Sequence, residues 1–343
     1  MRALVKAEPR SGLVLRDEPC PRPGAEEILV RIRRASICGT DLHIWNWDEW
    51  AAKTVPVPLI IGHEWSGEVV ARGERVRGIA EGARVSGEGH ITGSASRMSR
   101  AGRRHLDPET RGIGVNLPGA FAEYLCLPAF NAVALPDMVS DEVGAILDPF
   151  GNAVHAALSF DLVGEDVLVT GAGPIGIMTA MVARHVGARH VVITDINPYR
   201  LALAGRLVDA RPVHSGEESL RGVMEGLGMR EGFDAGFEAS GSPAAFGGMV
   251  DVMIMGGRMA LVGIPAHPFS VDWTEIIFKA LSIKAIYGRE IFETWYKAIA
   301  LIESGLDVGR IITHRFGAAE FEAAFGLVGS GDCGKVVLNW DNN

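Results

Sequence analysis

Short apolar runs separated by Gly and Pro dominate the first part of the chain. From residue 1 to about residue 135, β-like segments such as Glu27–Arg33 and Gly67–Ala71 alternate with turn residues. Antiparallel strands with one face in a core and the other in water produce this pattern. We therefore predict a compact, mainly antiparallel β domain in this region.

The pattern changes near Asp148. Helical spacing runs over Val143–Phe160, and apolar strands then alternate with amphipathic stretches, which predicts βαβ units and a largely parallel sheet. After Gly288 the β pattern returns, so we expect the helix-like Phe292–Ser304 and the strand Lys335–Asn339 to pack on the first domain. The strands predicted for the parallel sheet are Asp166–Thr170, His190–Thr194, Asp234–Glu238, Arg258–Val262 and Ser282–Ile286.

The length of 343 residues agrees with two domains, because one domain commonly takes about 150 residues. We predict a first domain from 1–147 and 289–343 and a second domain from 148–288. The fold class predicted is therefore α/β, with a doubly wound parallel sheet added to a mainly antiparallel β domain.

Charge and cysteine content limit the classes of partner. The 33 basic and 42 acidic side chains leave a net charge of -9, which disfavours nucleic acid and anionic membranes and favours a small-molecule substrate. Four cysteines without a close pair and without a signal peptide predict free thiols and a cytoplasmic protein. The longest uncharged apolar stretch, Val167–Ala183, is interrupted by Gly and Pro, so we expect no transmembrane segment.

The strongest local motif joins a buried strand to a helix. Val167–Thr170 leads into Gly171, Gly173 and Gly176 in the spacing G-x-G-x-x-G. In such a loop the first glycine makes the turn, the second admits a pyrophosphate, and the third lets the helix pack close to the strand. The alternative is a tight strand-to-helix turn without a ligand.

Asp195 strengthens the nucleotide interpretation. It ends the next strand, nineteen residues beyond Gly176, where a carboxylate can accept hydrogen bonds from ribose hydroxyls. Its charge would repel the 2'-phosphate of NADP, although Arg200 is close enough in sequence to soften that repulsion. We therefore predict NAD as the cofactor.

A second group of candidate functional residues, with side chains that can bind a metal, lies in the first domain. Cys38 begins the string Cys-Gly-Thr-Asp-Leu-His, and His63 and Glu64 follow Gly62. Cysteine, histidine and carboxylate are ligands expected of a zinc site that keeps one coordination position open. From residue types alone, a core thiol and a turn histidine explain Cys38 and His63 equally well.

These strings resemble the zinc-containing medium-chain dehydrogenase/reductase family, to which alcohol dehydrogenases belong. The family signature G-H-E-x-x-G-x5-G-x2-V fits Gly62 through Val76, and its nucleotide loop fits Gly171 through Gly176. The resemblance covers nearly the whole chain and implies a GroES-like β domain and a Rossmann domain. Three strings are most similar to the branch of the family that oxidises L-threonine: Ala35–Trp45, Asp148–His155 and Tyr287–Glu290.

The resemblance implies one catalytic zinc held by Cys38, His63 and Glu64, with Asp148 at the site edge as a supporting group or an exchangeable ligand. A thiolate and one carboxylate balance the two charges of the ion. Zinc lowers the pKa of bound water to about 7, and the same effect would prepare an alcohol to donate hydride.

Thr40 and His43 are implied to pass the proton of the alcohol towards solvent. Assistance of this kind typically contributes about 10² to 10⁴ in rate. A turn hydroxyl and a surface histidine are the alternative interpretations. The cofactor contacts that the resemblance adds to Asp195 and Arg200 are Ile175 at the phosphate turn, Val262, Gly263 and Ile264 beside the nicotinamide, and Ile286 and Tyr287 across from it.

The expected reaction is oxidation of L-threonine at its β-hydroxyl to 2-amino-3-oxobutyrate. Asp148 could face the ammonium group, and His90 and Arg289 are candidates for the carboxylate, although ordinary hydrogen bonds explain both equally well. A polyol or 2,3-butanediol dehydrogenase would share the zinc and Rossmann machinery. A non-catalytic NAD-binding regulatory protein is a further alternative. The family also implies a homotetramer.

The chain departs from the family in one lobe. Many relatives hold a structural zinc with C-x2-C-x2-C-x7-C, whereas this chain has Gly93, Ser96, Ser99 and Asp107 at the four places. Neutral hydroxyls and one carboxylate do not replace four thiolates, so we expect no structural zinc. Hydrogen bonds among Ser96, Ser99 and Asp107 are expected to hold the lobe, with Arg103 or Arg104 as the charge partner of Asp107.

Overall fold

The computed structural model describes residues 1–341. The first stretch of the chain is rich in short strands, with a 3-10 turn at Arg104–Leu106 and another at Ala129–Asn131. Its strands and helices are β1 Arg2–Lys6, β2 Val14–Asp17, β3 Glu27–Ser36, α1 Gly39–Asn46, α2 Glu49–Thr54, β4 Leu59–Ile60, β5 Glu64–Arg72, β6 Arg84–Gly87, β7 His90–Ile91, α3 Arg97–Arg100, β8 Arg111–Gly112, β9 Tyr124–Pro128, β10 Ala132–Ala134 and α4 Asp141–Ala145.

Strands and helices then alternate, as the sequence predicts. These elements are α5 Leu147–Ala157, β11 Asp166–Thr170, α6 Pro174–His185, β12 His190–Asp195, α7 Pro198–Leu207, β13 Arg211–His214, α8 Leu220–Gly226, β14 Phe233–Glu238, α9 Pro243–Val252, β15 Met253–Leu261, α10 Trp273–Phe278 and β16 Ser282–Ala285. The chain ends with α11 Glu293–Glu303, β17 Ile312–Gly317, α12 Phe321–Ser330 and β18 Lys335–Asn339, with 3-10 turns at Val308–Ile311 and Ala318–Glu320.

The chain divides into two compact units. The first comprises Met1–Pro149, Glu290–Ile299 and Ile312–Asn343, and the second comprises Phe150–Arg289 and Ala300–Ile311. The sequence assigns all of 289–343 to the first domain, whereas Ala300–Ile311 groups with the second unit. One reason is a hydrogen bond of 2.8 Å between His185 Nε2 and Ser304 Oγ, which ties the end of α11 to α6.

The first unit is built on a seven-stranded sheet with β3 at its centre. The strand order is β10-β6-β5-β3-β18-β17, and β9 pairs with another stretch of β3. Apart from the parallel pair β17–β18, these strands are antiparallel, which confirms the predicted β domain. Alternate residues of β3 enter the core because successive side chains of a strand point to opposite faces. They are Ile28, Val30 and Ile32, each no more than 1% exposed.

The second unit is built on six parallel strands in the order β13-β12-β11-β14-β15-β16. The direction of the strand order reverses between β11 and β14. In a sheet of this type, ligands bind in the crevice outside the carboxyl ends of the strands at that reversal. All five residues of β11 are buried: the apolar run Val167–Val169, as the sequence predicts, and the polar Asp166 and Thr170 at its two ends.

The structure adds one strand to the predicted parallel sheet and moves the start of another by five residues. Strand β13 pairs only with β12, so the proline at its second position, Pro212, is tolerated at the sheet edge although it weakens the sequence signal. Strand β15 begins at Met253, five residues before the predicted start. The predicted helix Val143–Phe160 is two helices, α4 and α5, because the chain leaves helical geometry at Ile146.

Candidate functional site

Cys38 lies where strand β3 gives way to helix α1. It occupies the N-cap position of α1 and has extended backbone geometry. Its backbone N donates a 2.9 Å hydrogen bond to Asp41 Oδ2, so the first turn of the helix is held by a carboxylate. The thiol of Cys38 thus lies at the N-terminus of α1, beside the partial positive charge of the helix.

His63 precedes strand β5, which pairs with β3 and brings the imidazole close to Asp41. The two groups are 3.7 Å apart, from His63 Nδ1 to Asp41 Oδ1. Burial alone would lower the pKa of His63, but the negative charges of Asp41 and Cys38 outweigh it and raise this pKa well above its usual value. Burial raises the pKa of Asp41 to about 6. Both Nδ1 of His63 and Oδ1 of Asp41 lack a hydrogen-bond partner in residues 1–341.

Glu64 is the first residue of β5 and is completely buried. Its Oε2 accepts a 2.5 Å hydrogen bond from Lys335 Nζ, which also donates to Ile37 O at 2.7 Å. Burial would lower the pKa of Lys335, but the charges of Glu64 and Cys38 raise it, so the lysine stays cationic. Within the described residues, Glu64 Oε1 has no partner although it is buried.

Cys38, His63 and Glu64 form a group of metal-ligand type. One donor atom from each residue lies within 4.8 Å of the others, and no other group of three such residues occurs in residues 1–341. A buried carboxylate oxygen without a partner is costly unless a cation completes it. The set of one thiolate, one imidazole and one carboxylate suits zinc and leaves a coordination position open. The residues present therefore fit a zinc ion.

Thr40 and His43 extend from the same helix. Thr40 Oγ1 is 3.8 Å from Cys38 Sγ. One turn later, the His43 side chain is 60% exposed, and its Nδ1 pairs with Asp48. The hydroxyl thus lies at the predicted metal ligand and the imidazole lies in solvent.

Asp148 and His90 flank the same region. A Cβ built on Gly89 would lie 3.8 Å from His63 Cβ and 4.0 Å from Asp148 Oδ2, so both residues border this glycine. Next to it, His90 Nδ1 is 2.9 Å from Oε1 of the buried Glu88. Oε2 of Glu88 accepts a 2.9 Å hydrogen bond from Trp295 Nε1.

In the second unit, the loop between β11 and α6 has the geometry that its three glycines predict. Gly171 has φ of +93°, which disfavours other residues. A Cβ at Gly176 would lie 1.9 Å from Gly171 O, whereas a Cβ at Gly173 would meet nothing within 4 Å. Strand and helix therefore approach closely while the N-terminus of α6 stays open. An open helix N-terminus after a parallel strand fits a pyrophosphate.

Asp195 ends strand β12, beside the glycine loop. Its Oδ2 accepts a 2.7 Å hydrogen bond from Ala172 N in the glycine loop, and its Oδ1 accepts from Ile196 N and Asn197 N. Arg200 follows in the first turns of α7, and Ile175 lies at the start of α6. The carboxylate thus stands at the carboxyl end of β12 beside the loop.

The other predicted cofactor residues follow the last two strands of the sheet. Val262, Gly263 and Ile264 come after β15, and the Ile264 side chain is 90% exposed. Ile286 and Tyr287 come after β16, and Tyr287 is 57% exposed. In contrast, Arg289 is buried and donates a 3.1 Å hydrogen bond to Asn152 Oδ1.

Two family models match this chain. Residues 24–137 match the alcohol dehydrogenase GroES-like domain, and residues 174–304 match the zinc-binding dehydrogenase domain. An L-threonine 3-dehydrogenase of Ruegeria pomeroyi is 60% identical over 99% of this chain and 100% of its own length. The L-threonine 3-dehydrogenase of Klebsiella pneumoniae is 59% identical over 99% and 100%. This chain belongs to the zinc-binding dehydrogenase family.

Solved structures of zinc-binding dehydrogenases and related enzymes have the same fold. The alcohol dehydrogenase of Thermus sp. ATN1 is 29% identical, with a TM-score of 0.87 over 99% of both chains. An alcohol dehydrogenase of Escherichia coli CFT073, solved with NADH, is 26% identical, with a TM-score of 0.90 over 99% of both chains. The Rossmann and GroES-like fold class predicted from the sequence is confirmed.

The lobe that carries structural zinc in many zinc-binding dehydrogenases is closed here by hydrogen bonds. Ser96 Oγ donates to Asp107 Oδ2 at 2.6 Å, and the Ser99 hydroxyl reaches the same carboxylate. Ser99 Oγ also donates to Gly93 O at 3.0 Å. The four positions that are cysteines elsewhere thus still meet, joined by hydroxyl and carboxylate groups.

One expectation about this lobe is wrong. No ion pair joins Asp107 to an arginine anywhere in residues 1–341. The guanidinium of Arg104 lies instead over the ring of Phe130, 4.6 Å from its centroid. The hydrogen bonds from Ser96 and Ser99 lower the pKa of Asp107, so neutral hydroxyls suffice to hold the charged carboxylate.

Three residues near the site were not predicted from the sequence: Asp41, Lys335 and Glu88. Asp41 had a weak local signal, since it stands three residues after Cys38, the spacing of a helix-capping carboxylate. Lys335 and Glu88 had none, because Lys335 is 271 residues from Glu64 and Trp295 is 207 residues from Glu88. The Lys335 contact depends on the sheet that pairs β18 with β3, and the Trp295 contact depends on the packing of helix α11.

Proposed function

We propose that this protein oxidises L-threonine to 2-amino-3-oxobutyrate with NAD as hydride acceptor and zinc as metal cofactor. The observation that carries the proposal is the full-length identity of 60% to L-threonine 3-dehydrogenases, joined to the Cys38, His63 and Glu64 group. The product is consistent with a threonine catabolic route towards glycine.

Cys38, His63 and Glu64 are the residues that would hold the ion. Zinc bound there would supply Lewis-acid assistance to the substrate hydroxyl. The chain prepares this site with two buried contacts: Lys335 fixes Glu64, and Asp41 faces Nδ1 of His63. Side chains that contact metal ligands in this way hold the ligands in the orientation that binds the ion.

The proton of the substrate hydroxyl has a path along helix α1. Thr40 stands at Cys38 and can accept the proton while donating its own onward. His43, one turn further and exposed, can deliver it to solvent, and its Nδ1 contact with Asp48 leaves Nε2 for that transfer. Asp148, beside Gly89, is proposed as a supporting carboxylate.

The coenzyme residues divide by the part of NAD that they would contact. Gly171, Gly173, Ile175 and Gly176 form the pyrophosphate site at the N-terminus of α6. Asp195 would accept from the ribose hydroxyls, with Arg200 nearby. The residues proposed for the nicotinamide are Val262, Gly263, Ile264, Ile286 and Tyr287, of which Ile264 and Tyr287 have the apolar exposure that a ring contact needs.

Recognition of threonine requires opposite charges for its ammonium and carboxylate groups. Asp148 is proposed for the ammonium group. His90 and Arg289 are proposed for the carboxylate. His90 Nδ1 lies 2.9 Å from Glu88 Oε1, and Arg289 donates a hydrogen bond to Asn152 Oδ1.

We also propose that the protein is a cytoplasmic homotetramer. All four cysteines are free thiols, as suits a reducing compartment, and no helix in residues 1–341 has the length and apolar character needed to span a membrane. Strand β16 pairs only with β15 and its four residues are exposed. Such an edge is a template for a second copy, related by twofold symmetry.

A substrate screen tests the proposed activity. NADH formation is followed with L-threonine, L-serine, sorbitol and 2,3-butanediol, each with and without a chelator. We expect L-threonine to give the highest kcat/KM and chelation to abolish it. Preference for sorbitol or butanediol would instead indicate the polyol class, and NAD binding without any turnover would indicate a regulatory protein.

A further inference from the structure

A buried carboxylate that none of the preceding steps uses lies in the coenzyme unit. Glu238 is the last residue of β14 and is 4% exposed. Strand β14 is next to β11, and the strand order of the sheet reverses between these two strands. Glu238 thus stands at the carboxyl edge of the sheet, at the point where ligands of this fold bind.

The Glu238 carboxylate accepts hydrogen bonds from backbone amides and from hydroxyl groups. Oε1 accepts from Ser240 N at 2.8 Å, from Gly241 N at 3.0 Å, from the Ser240 hydroxyl and from Thr170 Oγ1 at 3.4 Å. Thr170 immediately precedes the glycine loop, so the same carboxylate contacts both the end of β11 and the turn after β14.

The charge of Glu238 is not neutralised by a side chain. No ion pair joins it to a Lys, Arg or His in the part of the chain that the structure describes. Two other buried carboxylates do have cationic partners: Glu64 is paired with Lys335, and Asp166 is paired with Arg189 and His190 at the opposite edge of the same sheet. A buried charge without a counterion acts strongly on other charges nearby.

The carboxylate also adjoins the segment after β15. The Glu238 backbone O accepts hydrogen bonds of 2.8 Å from Val262 N and Gly263 N. A Cβ built on Gly263 would lie 2.6 Å from Glu238 Oε2, so only a glycine fits against it. This is the segment proposed above for the nicotinamide.

We propose that Glu238 sets the preference of the enzyme for oxidised over reduced coenzyme. The nicotinamide ring is cationic in NAD⁺ and neutral in NADH, so an uncompensated negative charge at this edge stabilises NAD⁺ binding and leaves NADH binding nearly unchanged. The inference rests on the proposed function, because it needs the nicotinamide in this crevice. It adds that Glu238 favours binding of the oxidised coenzyme, the form that enters the reaction with the substrate.

Isosteric removal of the charge tests this role. We expect Glu238→Gln to raise the ratio Kd(NAD⁺)/Kd(NADH) by about three- to thirtyfold, the range that one charge produces at moderate distance in a partly shielded site. Glu238→Asp keeps the charge and should hold the ratio near that of the wild type. The matched control is Glu165→Gln, since Glu165 lies at the opposite end of the sheet and is paired with Arg258. Both dissociation constants are measured by titration of the zinc-loaded full chain without substrate.

A ligand test needs no variant. Benzamide adenine dinucleotide has a neutral ring in the place of the nicotinamide, so the wild type should bind it less tightly than NAD⁺ by a similar factor. If Glu238→Gln weakens NAD⁺ and NADH equally, or if the wild type binds the neutral isostere as tightly as NAD⁺, Glu238 only supports the turn and the inference is overturned. If the wild type binds neither coenzyme, the proposed function fails as well.

Discussion

At the residue scale, the metal ligands are held by groups that approach from different parts of the chain. Asp41 contacts His63 from helix α1, and Lys335 contacts Glu64 from strand β18. The two contacts limit the positions of an imidazole and a carboxylate before any ion binds. Such preparation reduces the cost of ordering the site when a metal or a substrate enters.

The first prediction concerns these ligands. The wild type should hold one zinc per chain by metal analysis. Cys38→Ser or His63→Ala should lose that zinc and lower turnover by about 10³-fold or more, because several kcal/mol of metal assistance disappear. NAD binding should stay close to the wild-type value, since the glycine loop lies in the other compact unit. Cys20→Ser, at an exposed thiol, is the matched control; full activity in either metal-free variant would contradict the zinc mechanism.

The second prediction concerns coenzyme choice. Asp195→Ala removes the charge opposed to a 2'-phosphate, so the ratio of kcat/KM for NADP to that for NAD should rise about tenfold or more. The affinity for NAD should fall at the same time, because Asp195 also accepts the hydrogen bond from Ala172 N. Asp209→Ala, on the exposed surface, serves as control. An unchanged ratio would show that the ribose lies elsewhere.

At the element scale, the lobe from Gly93 to Asp107 keeps its shape without thiolates because one carboxylate gathers two hydroxyls and a backbone amide. Glu109 N donates a 2.8 Å hydrogen bond to Asp107 Oδ1, opposite the two serines. Ser96 also caps the short helix α3 by accepting from Ser99 N. The lobe therefore depends on Asp107 more than on any other side chain.

The third prediction follows from this dependence. Asp107→Asn should increase protease cleavage within 93–107 while leaving zinc content and the rest of the fold unchanged. Acid should act in the same direction: the folded pKa of Asp107 is lowered, so its stabilisation is complete above the unfolded pKa of about 3.9 and is lost as the pH falls through the folded pKa. Limited proteolysis with mass spectrometry measures both effects, and Glu109→Gln is the control.

Chelation gives the reciprocal test of the lobe. Removal of the catalytic zinc should leave the protease resistance of 93–107 as it was, because no thiolate is available in that segment. A loss of resistance confined to the lobe on chelation would contradict a metal-free lobe.

At the scale of the whole molecule, the second unit has an apolar surface at the end of its sheet. Helix α10, which precedes the edge strand β16, has three large exposed side chains: Trp273 at 67%, Ile277 at 66% and Phe278 at 74%. Ile283 in the centre of β16 is 38% exposed. Concentrated apolar exposure at a free sheet edge marks an association surface.

The fourth prediction tests this surface. Ile283→Lys or Phe278→Glu should lower the oligomer mass measured by light scattering, because a charge would be buried against a partner copy. Val163→Glu is the matched control, since Val163 is 70% exposed in the same unit but belongs neither to α10 nor to β16. An unchanged mass in both edge variants would place the interface on another face.

Local chemistry can be predicted from the sequence wherever neighbours along the chain determine it. The run Asp166–Gly176 specifies a strand, a turn and a helix through contacts within a few residues, so its geometry follows from the apolar run Val167–Val169 and three glycines. Cys38, Thr40 and His43 share one short helix for the same reason. The two domain types are also evident, because the period of hydrophobic residues changes where one type of layer gives way to the other.

Only the tertiary structure determined the contacts between distant segments. Lys335 reaches Glu64 and Trp295 reaches Glu88 because strand pairing and helix packing bring residues more than two hundred positions apart into contact. Arg104 packs on Phe130 instead of pairing with Asp107, which charge alone could not reveal. Strand β13 depends on β12 for its partner, since Pro212 weakens its own preference. Local sequence thus determined which groups are present, and burial and strand order determined which of them meet.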